Sequence, residues 1–155
     1  MAELKQYCTF FIDEVLFGVE VTDVQEVLRY QDMTEVPLAP SEIHGLINLR
    51  GQIITAIDLR SRMKLPPRPD DQKPMNVVIR THGEVVSFLV DSIGDVLEVE
   101  DEIFEPAPGT VDAATRELVS GVYKLDGRLL MVLDAAKASE ISTATEDPII
   151  QAPPL

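Results

Sequence analysis

The strongest constraint on this chain is that it contains two copies of one pattern. The stretch Gly45-Leu46-Ile47-Asn48-Leu49-Arg50-Gly51-Gln52-Ile53-Ile54-Thr55-Ala56-Ile57-Asp58 returns 76 residues later as Gly121-Val122-Tyr123-Lys124-Leu125-Asp126-Gly127-Arg128-Leu129-Leu130-Met131-Val132-Leu133-Asp134. An earlier segment repeats at an offset of 69, laying Cys8, Phe10, Val19, Val21, Val24, Val27 and Leu28 on Val77, Ile79, Phe88, Val90, Ile93, Val96 and Leu97, and Pro37 on Pro106. The two offsets differ by seven residues, an insertion that falls in Phe104 to Arg116. A period this long is not that of a solenoid. Each copy offers four or five short β-rich runs with turn signals at close spacing, the pattern of a small barrel or sandwich rather than of a βαβ unit. The expected fold is all-β with minor helix, as two pseudo-equivalent barrels.

Each copy of the repeated stretch reads as a hairpin. A two-residue type I′ turn needs positive φ at both central positions, so Asp126-Gly127 fits it and Arg50-Gly51 does not. Local rules are broken where function asks for it, which makes Arg50 the first residue to explain. The plainer alternative is an exposed turn arginine that serves only solubility.

Along the chain, Tyr7 to Ile12 and Val15 to Val21 form another hairpin signature around Asp13-Glu14. Thr22 with Gln25 resembles a capping box and predicts a helical turn over Asp23 to Glu26, with Glu26 projecting outward beside Val24 and Val27. Asp58 is placed to cap a helix over Leu59 to Leu65, whose cationic residues come late as the helix dipole prefers. Residues 66–74 hold four prolines and read as a stiff, exposed linker. Domain organisation is then one unit over 5–138, with halves at about 5–66 and 75–138. Residues 139–155, rich in Ser, Thr, Glu and Pro, read as a mostly disordered tail.

A length of 155 residues permits a real apolar core, and 45% hydrophobic content supplies it. With 13 Lys+Arg against 27 Asp+Glu the net charge is −14, which works against nucleic acid and anionic membranes as partners. Arg60, Arg62, Lys64 and Arg68 form a small basic cluster that reads as a solvated face. The single cysteine, Cys8, excludes an intramolecular disulfide or a Cys-based zinc site and suits a reducing compartment. No apolar run approaches the roughly 18 residues of a membrane span, and no basic segment with an apolar signal core opens the chain. Paired Asp58 and Asp134 invite comparison with an aspartic dyad, but their neighbours, Leu59-Arg60 and Ala135-Ala136, are those of helix caps. His44 and His82 lack ligand spacing and read as turn residues.

The residues nevertheless carry a resemblance. Val36-Pro37-Leu38-Ala39-Pro40, then Ile43-His44-Gly45-Leu46-Ile47-Asn48-Leu49-Arg50-Gly51-Gln52-Ile53 running into Ile57-Asp58-Leu59-Arg60, together with Val24-Gln25-Glu26-Val27-Leu28 and Ile93-Gly94-Asp95-Val96-Leu97, resemble the CheW family of bacterial chemotaxis coupling proteins over Tyr7 to Ala138. The resemblance implies two five-stranded SH3-like barrels and a non-enzymatic adaptor without cofactor or metal. It implies a cytoplasmic location at membrane-associated receptor arrays, with two partners: the cytoplasmic helices of methyl-accepting chemoreceptors and the regulatory domain of the CheA histidine kinase. By position Arg50 and Glu26 would meet the receptor in a groove between the barrels, with Val24, Val27 and Leu49 nearby; the kinase contact is left unassigned. A CheW-like competitor, or an adaptor of a non-flagellar chemosensory pathway, is the alternative within the family. A β-barrel hydrolase using Asp58 and Asp134 is the alternative outside it.

Overall fold

The computed structural model describes residues 4–100 and 104–140, so most of the expected tail lies outside the described residues. Eleven strands and three short helices follow in the order β1 (Leu4–Ile12), β2 (Val15–Glu20), β3 (Val24–Leu28), β4 (Ile43–Leu49), β5 (Gln52–Asp58), α1 (Leu59–Arg62), β6 (Met75–Thr81), β7 (Glu84–Val90), β8 (Ser92–Glu100), β9 (Phe104–Glu105), α2 (Ala113–Arg116), β10 (Val119–Leu125), β11 (Arg128–Leu133) and α3 (Ala135–Ser139). They form a six-stranded sheet, β8-β1-β2-β11-β10-β9, and a five-stranded sheet, β3-β6-β7-β5-β4. These are the first and second barrels below. The insertion expected in the second copy holds β9 and α2.

Repeat and barrel do not coincide. β1 and β2 come from the first copy but sit among strands of the second, while β6 and β7 of the second copy sit among strands of the first. The junctions are parallel pairs, Met131 opposite Phe17 in one sheet and Ile57 opposite Phe88 in the other. Each barrel is therefore one copy's hairpin set among the other copy's strands, four in the first barrel and three in the second.

That exchange explains the imperfect alternation of the hairpin sequences, because both of their faces are buried. Phe10, Ile12, Phe17, Val19, Val77, Ile79, Phe88 and Val90 meet in one cluster between the sheets. On their other face Tyr7 and Leu16 fill the first barrel with Tyr123 and Leu130, and Val78 fills the second with Ile47, Leu49 and Ile54. Phe10 and Phe88 are wholly buried, each worth roughly 2 kcal/mol or more of apolar burial. Polar atoms inside are paired: Ser87 Oγ donates to Asn76 Oδ1 at 2.7 Å, and Asn76 Nδ2 donates to the Arg29 carbonyl at 3.1 Å.

Gly45 and Gly121, equivalent by the 76-residue offset, both permit a close approach. A Cβ on Gly45 would lie 2.8 Å from the Thr34 carbonyl oxygen, where Thr34 bridges to Leu46, and one on Gly121 would lie 2.1 Å from Phe104. The sixth strand thus has a one-residue echo in the second barrel.

The expected basic face is instead a buried ionic junction. Asp91, at the corner between β7 and β8, accepts from Arg60 Nε (3.0 Å) and Nη2 (2.7 Å), from Arg68 Nε (2.9 Å) and from the Asp13 backbone N–H (2.7 Å). Arg60 also donates to the Pro66 carbonyl, and Arg68 to Asp58 at 3.4 Å. Arg62 donates to the carbonyls of Lys137, Ala138 and Glu140 at the end of α3. Only Lys64 of the four cations is left exposed. The linker is accordingly pinned by Arg68 and Pro66, with Pro74 buried, rather than hanging free. Burial alone would raise the Asp91 pKa; the hydrogen bonds from Arg60, the Asp13 N–H and Arg68 outweigh it and hold the carboxyl below its ordinary value.

Replacing Asp91 by Ala removes the main anion of two buried guanidiniums, leaving Arg68 only Asp58 at 3.4 Å and Arg60 only Asp13 at 3.9 Å, with an expected cost of about 3 kcal/mol in urea unfolding at pH 7. Because the folded pKa is depressed, the advantage of wild type over Asp91→Asn is fully present above the ordinary carboxylate value of 3.8 and shrinks as pH falls through the lower folded value. Urea midpoints of both proteins measured from pH 7 to pH 3 check the sign.

Candidate partner-binding site

The turn carrying Arg50 is left-handed at both central residues, φ 52° at Arg50 and 87° at Gly51, and the Asn48 side-chain oxygen accepts from the Gly51 N–H at 3.0 Å. This is the type I′ form that a twisted two-residue hairpin demands. Asp13-Glu14 and His82-Gly83 adopt it too, whereas in Asp126-Gly127 only Gly127 takes positive φ. The sequence expectation is reversed: the Arg-Gly pair adopts the demanding form and the Asp-Gly pair does not. Residue type alone did not select the turn. Arg50 is distinguished instead by where its side chain goes.

Its partner is Glu26. The capping box over Thr22 to Gln25 does not form; a 3-10 turn over Val21–Asp23 gives way at once to β3, so Val24 and Glu26 are strand residues. Pairing of β3 with β6 outcompetes the local helical preference, with a bulge between Val24 and Glu26. β3 and β4 are opposite edges of the five-stranded sheet. From the turn that ends β4, Arg50 Nη2 donates to Glu26 Oε2 on β3 and so links the two edges. The Glu26 side chain is 23% exposed and that of Arg50 67%, so the guanidinium is anchored on one side and open to solvent on the other. A planar fork fixed in this way presents further N–H donors to a carboxylate or carbonyl from outside.

The five expected site residues divide. Arg50 and Glu26 come together, and Val27, on the same strand, is exposed. Val24 packs against the cluster between the sheets, and Leu49 lies inside the second barrel with Ile47, Ile54 and Val78. Sequence reading missed Ile53, 61% exposed two residues beyond the turn, although the Ile53-Ile54 pair in an alternating strand forces one of the two outward. It also missed Leu38, wholly exposed at φ 63° in the loop before β4.

The dyad alternative does not survive the geometry. Asp58 Oδ1 accepts from the Arg60 N–H at the start of α1 and Asp134 Oδ1 from the Lys137 N–H in α3, so each caps its own helix, and Asp58 also faces Arg68. His82 occupies a hairpin tip as expected, whereas His44 is not a turn residue but an exposed position of β4. Burial pushes the Cys8 thiol pKa up, away from the reactive thiolate. Among the described residues no group of three or more His, Cys, Asp or Glu could hold a metal ion, and no helix is long and apolar enough to cross a membrane.

A family model described as the CheW-like domain matches residues 6–141. The chain belongs to the CheW family. It is 32% identical over 146 residues to the chemotaxis protein CheW of Thermotoga maritima, covering 92% of this chain and 94% of that one. The chemotaxis protein CheW of Bacillus subtilis is 31% identical over 137 residues, 86% of this chain and 88% of the other. Among solved structures, the scaffolding protein TtCheW of Thermoanaerobacter tengcongensis superposes with a TM-score of 0.81 at 27% identity over 92% of both chains. The two pseudo-symmetric β-rich units found here are thus the CheW fold, and the general role is that of a CheW-family adaptor in chemotaxis signalling.

The Arg50–Glu26 pair is too exposed to hold the CheW fold together. A double-mutant cycle of Arg50→Ala and Glu26→Ala, read by urea unfolding, is expected to give a coupling of about 0.2–1 kcal/mol. A coupling of several kcal/mol would make the pair a structural clasp instead of a presented recognition group.

Proposed function

We infer that this chain is a non-enzymatic coupler that joins the cytoplasmic helices of methyl-accepting chemoreceptors to the CheA histidine kinase in receptor arrays on the cytoplasmic side of the membrane. The observation that carries the reading is the Arg50 guanidinium, held by Glu26 and still two-thirds exposed. Exposed apolar residues lie on the strands of the same sheet, Val27 next to Glu26 on β3 and Ile53 on β5. Apolar contacts from these residues would supply affinity, while the guanidinium fixes register on a helix through a carboxylate or carbonyl. Val24 and Leu49 act from beneath, by shaping the surface that Glu26 and Arg50 stand on. The strongly acidic remainder of the chain disfavours anionic surfaces and so leaves Arg50 as a local exception that a negatively charged helix face can find.

The test is ternary co-sedimentation of the purified protein with a receptor cytoplasmic fragment and CheA. Wild type is expected to bring down both partners. Arg50→Glu is expected to lose the receptor fragment and keep the kinase, and Arg50→Lys to recover receptor binding only in part because an ammonium cannot form the two-pronged contact. Binding of one partner alone by wild type would favour the competitor, and an unchanged Arg50→Glu protein would return Arg50 to a solubility role.

A further inference from the structure

Arg50 has a second arginine beside it. β3 and β6 lose register between Val24 and Glu26: Val24 lies opposite Ile79 and Glu26 opposite Val78, so Gln25 is the extra residue of a β-bulge. A bulge sets two residues of one strand against one of its neighbour and re-aims a side chain. Here it makes Gln25 and Glu26 adjacent acceptors on an edge strand of the sheet. On β6, Arg80 shares a face with Val78, two residues before it, and its Nη2 donates to Gln25 Oε1 at 2.9 Å. Two arginines thus converge on neighbouring residues of β3, Arg50 from the turn after β4 and Arg80 from β6.

The two differ in charge balance. Glu26 offsets the charge of Arg50, whereas Gln25 fixes Arg80 without neutralising it. Arg80 and Gln25 are both exposed, and among the described residues Arg80 makes no ion pair. One neutral acceptor leaves most of the guanidinium N–H donors free. Arg80 is therefore an uncompensated, oriented cation in a chain of net charge −14.

The other copy shows that the fold does not ask for these arginines. By the two offsets Gln25, Glu26, Arg50 and Arg80 correspond to Gly94, Asp95, Asp126 and Phe11, so neither arginine bond has an equivalent there. The apolar floor is kept all the same, with Leu28, Leu49 and Val85 in the second barrel standing where Leu97, Leu125 and Leu16 stand in the first. A barrel of this design packs over that floor without arginines on its rim, and packing does not account for Arg80.

We propose that Arg80 is a second specificity-determining residue of the receptor site, held by Gln25 to take an acidic side chain of the receptor helix beside the group that Arg50 engages. This rests on the coupling reading above and adds the chemistry of the partner surface, a helix face that presents acidic side chains to both arginines. Arg50, already paired with Glu26, fixes register. Arg80 supplies the larger share of the charge attraction, and Gln25 is a positioning residue that acts through it.

The experiment measures binding of the full chain to a receptor cytoplasmic fragment and, separately, to the CheA regulatory domain over a series of NaCl concentrations. The proteins are wild type, Arg80→Glu, Arg80→Gln, Gln25→Ala and Arg50→Glu, with urea midpoints to verify folding. Arg80→Glu is expected to weaken receptor binding about tenfold or more and to leave kinase binding within about twofold. Arg80→Gln is expected to weaken receptor binding less and to flatten its dependence on NaCl. Gln25→Ala keeps the charge, so it is expected to lose about threefold in receptor affinity with the NaCl dependence of wild type, the signature of lost preorganisation. Wild-type receptor affinity in Arg80→Glu, alongside its loss in Arg50→Glu, would overturn the role of Arg80 and leave the coupling reading intact. Loss of the kinase instead of the receptor in Arg80→Glu would overturn the assignment of Arg80 to the receptor site. Wild-type affinity in Gln25→Ala would overturn the positioning role. Failure of wild type to bind the receptor fragment at all would overturn the coupling reading itself.

Discussion

Everything in this molecule depends on two hairpins packed back to back. β1–β2 and β6–β7 are copies of one segment, and each completes the sheet of the other copy, so the apolar seam between them is at once the wall of both barrels and the contact that joins them. A hairpin buried on both faces cannot show a clean alternation of apolar and polar residues, which is why Cys8-Thr9-Phe10-Phe11-Ile12 and Val77-Val78-Ile79 read as near-continuous apolar runs. Neither barrel is complete without residues from the other half of the sequence. The linker between the copies is bound to this core by charge: Asp91 gathers Arg60, Arg68 and the Asp13 N–H at a point where α1, the linker and two strand corners converge.

A duplicated fold offers two similar ends, and an adaptor needs two ends that differ. At their rims the two ends differ in charge. The apolar floors are matched position for position, while the rim of one end carries Arg50 and Arg80 bonded to Glu26 and Gln25 and the rim of the other carries Asp95 and Asp126. Exchanging one arginine for an aspartate at a hairpin tip changes the charge of an opening by two without disturbing the core below. Partner choice can therefore diverge between the two ends at little cost in stability, since rim charges steer association more than they hold the fold.

The sequence alone determined the duplication, the hairpins, the capping roles of Asp58 and Asp134, and the position of the inserted β9–α2 segment, because hydrophobic period and cap chemistry are local signals. It also marked Arg50, though for a reason the turn geometry did not bear out, and it pointed to Glu26 only through the family resemblance. What the tertiary structure alone decided was which hairpin joins which sheet, the pairing of β3 that displaced a predicted helical turn, the burial of Leu49 and Val24, and the fate of the cations after Asp58. Those outcomes rest on contacts between residues far apart in the chain, such as Arg60 with Asp91 and Arg50 with Glu26. No local pattern encodes them, since an arginine in a polar run looks the same in sequence whether its carboxylate lies across the fold or nowhere near.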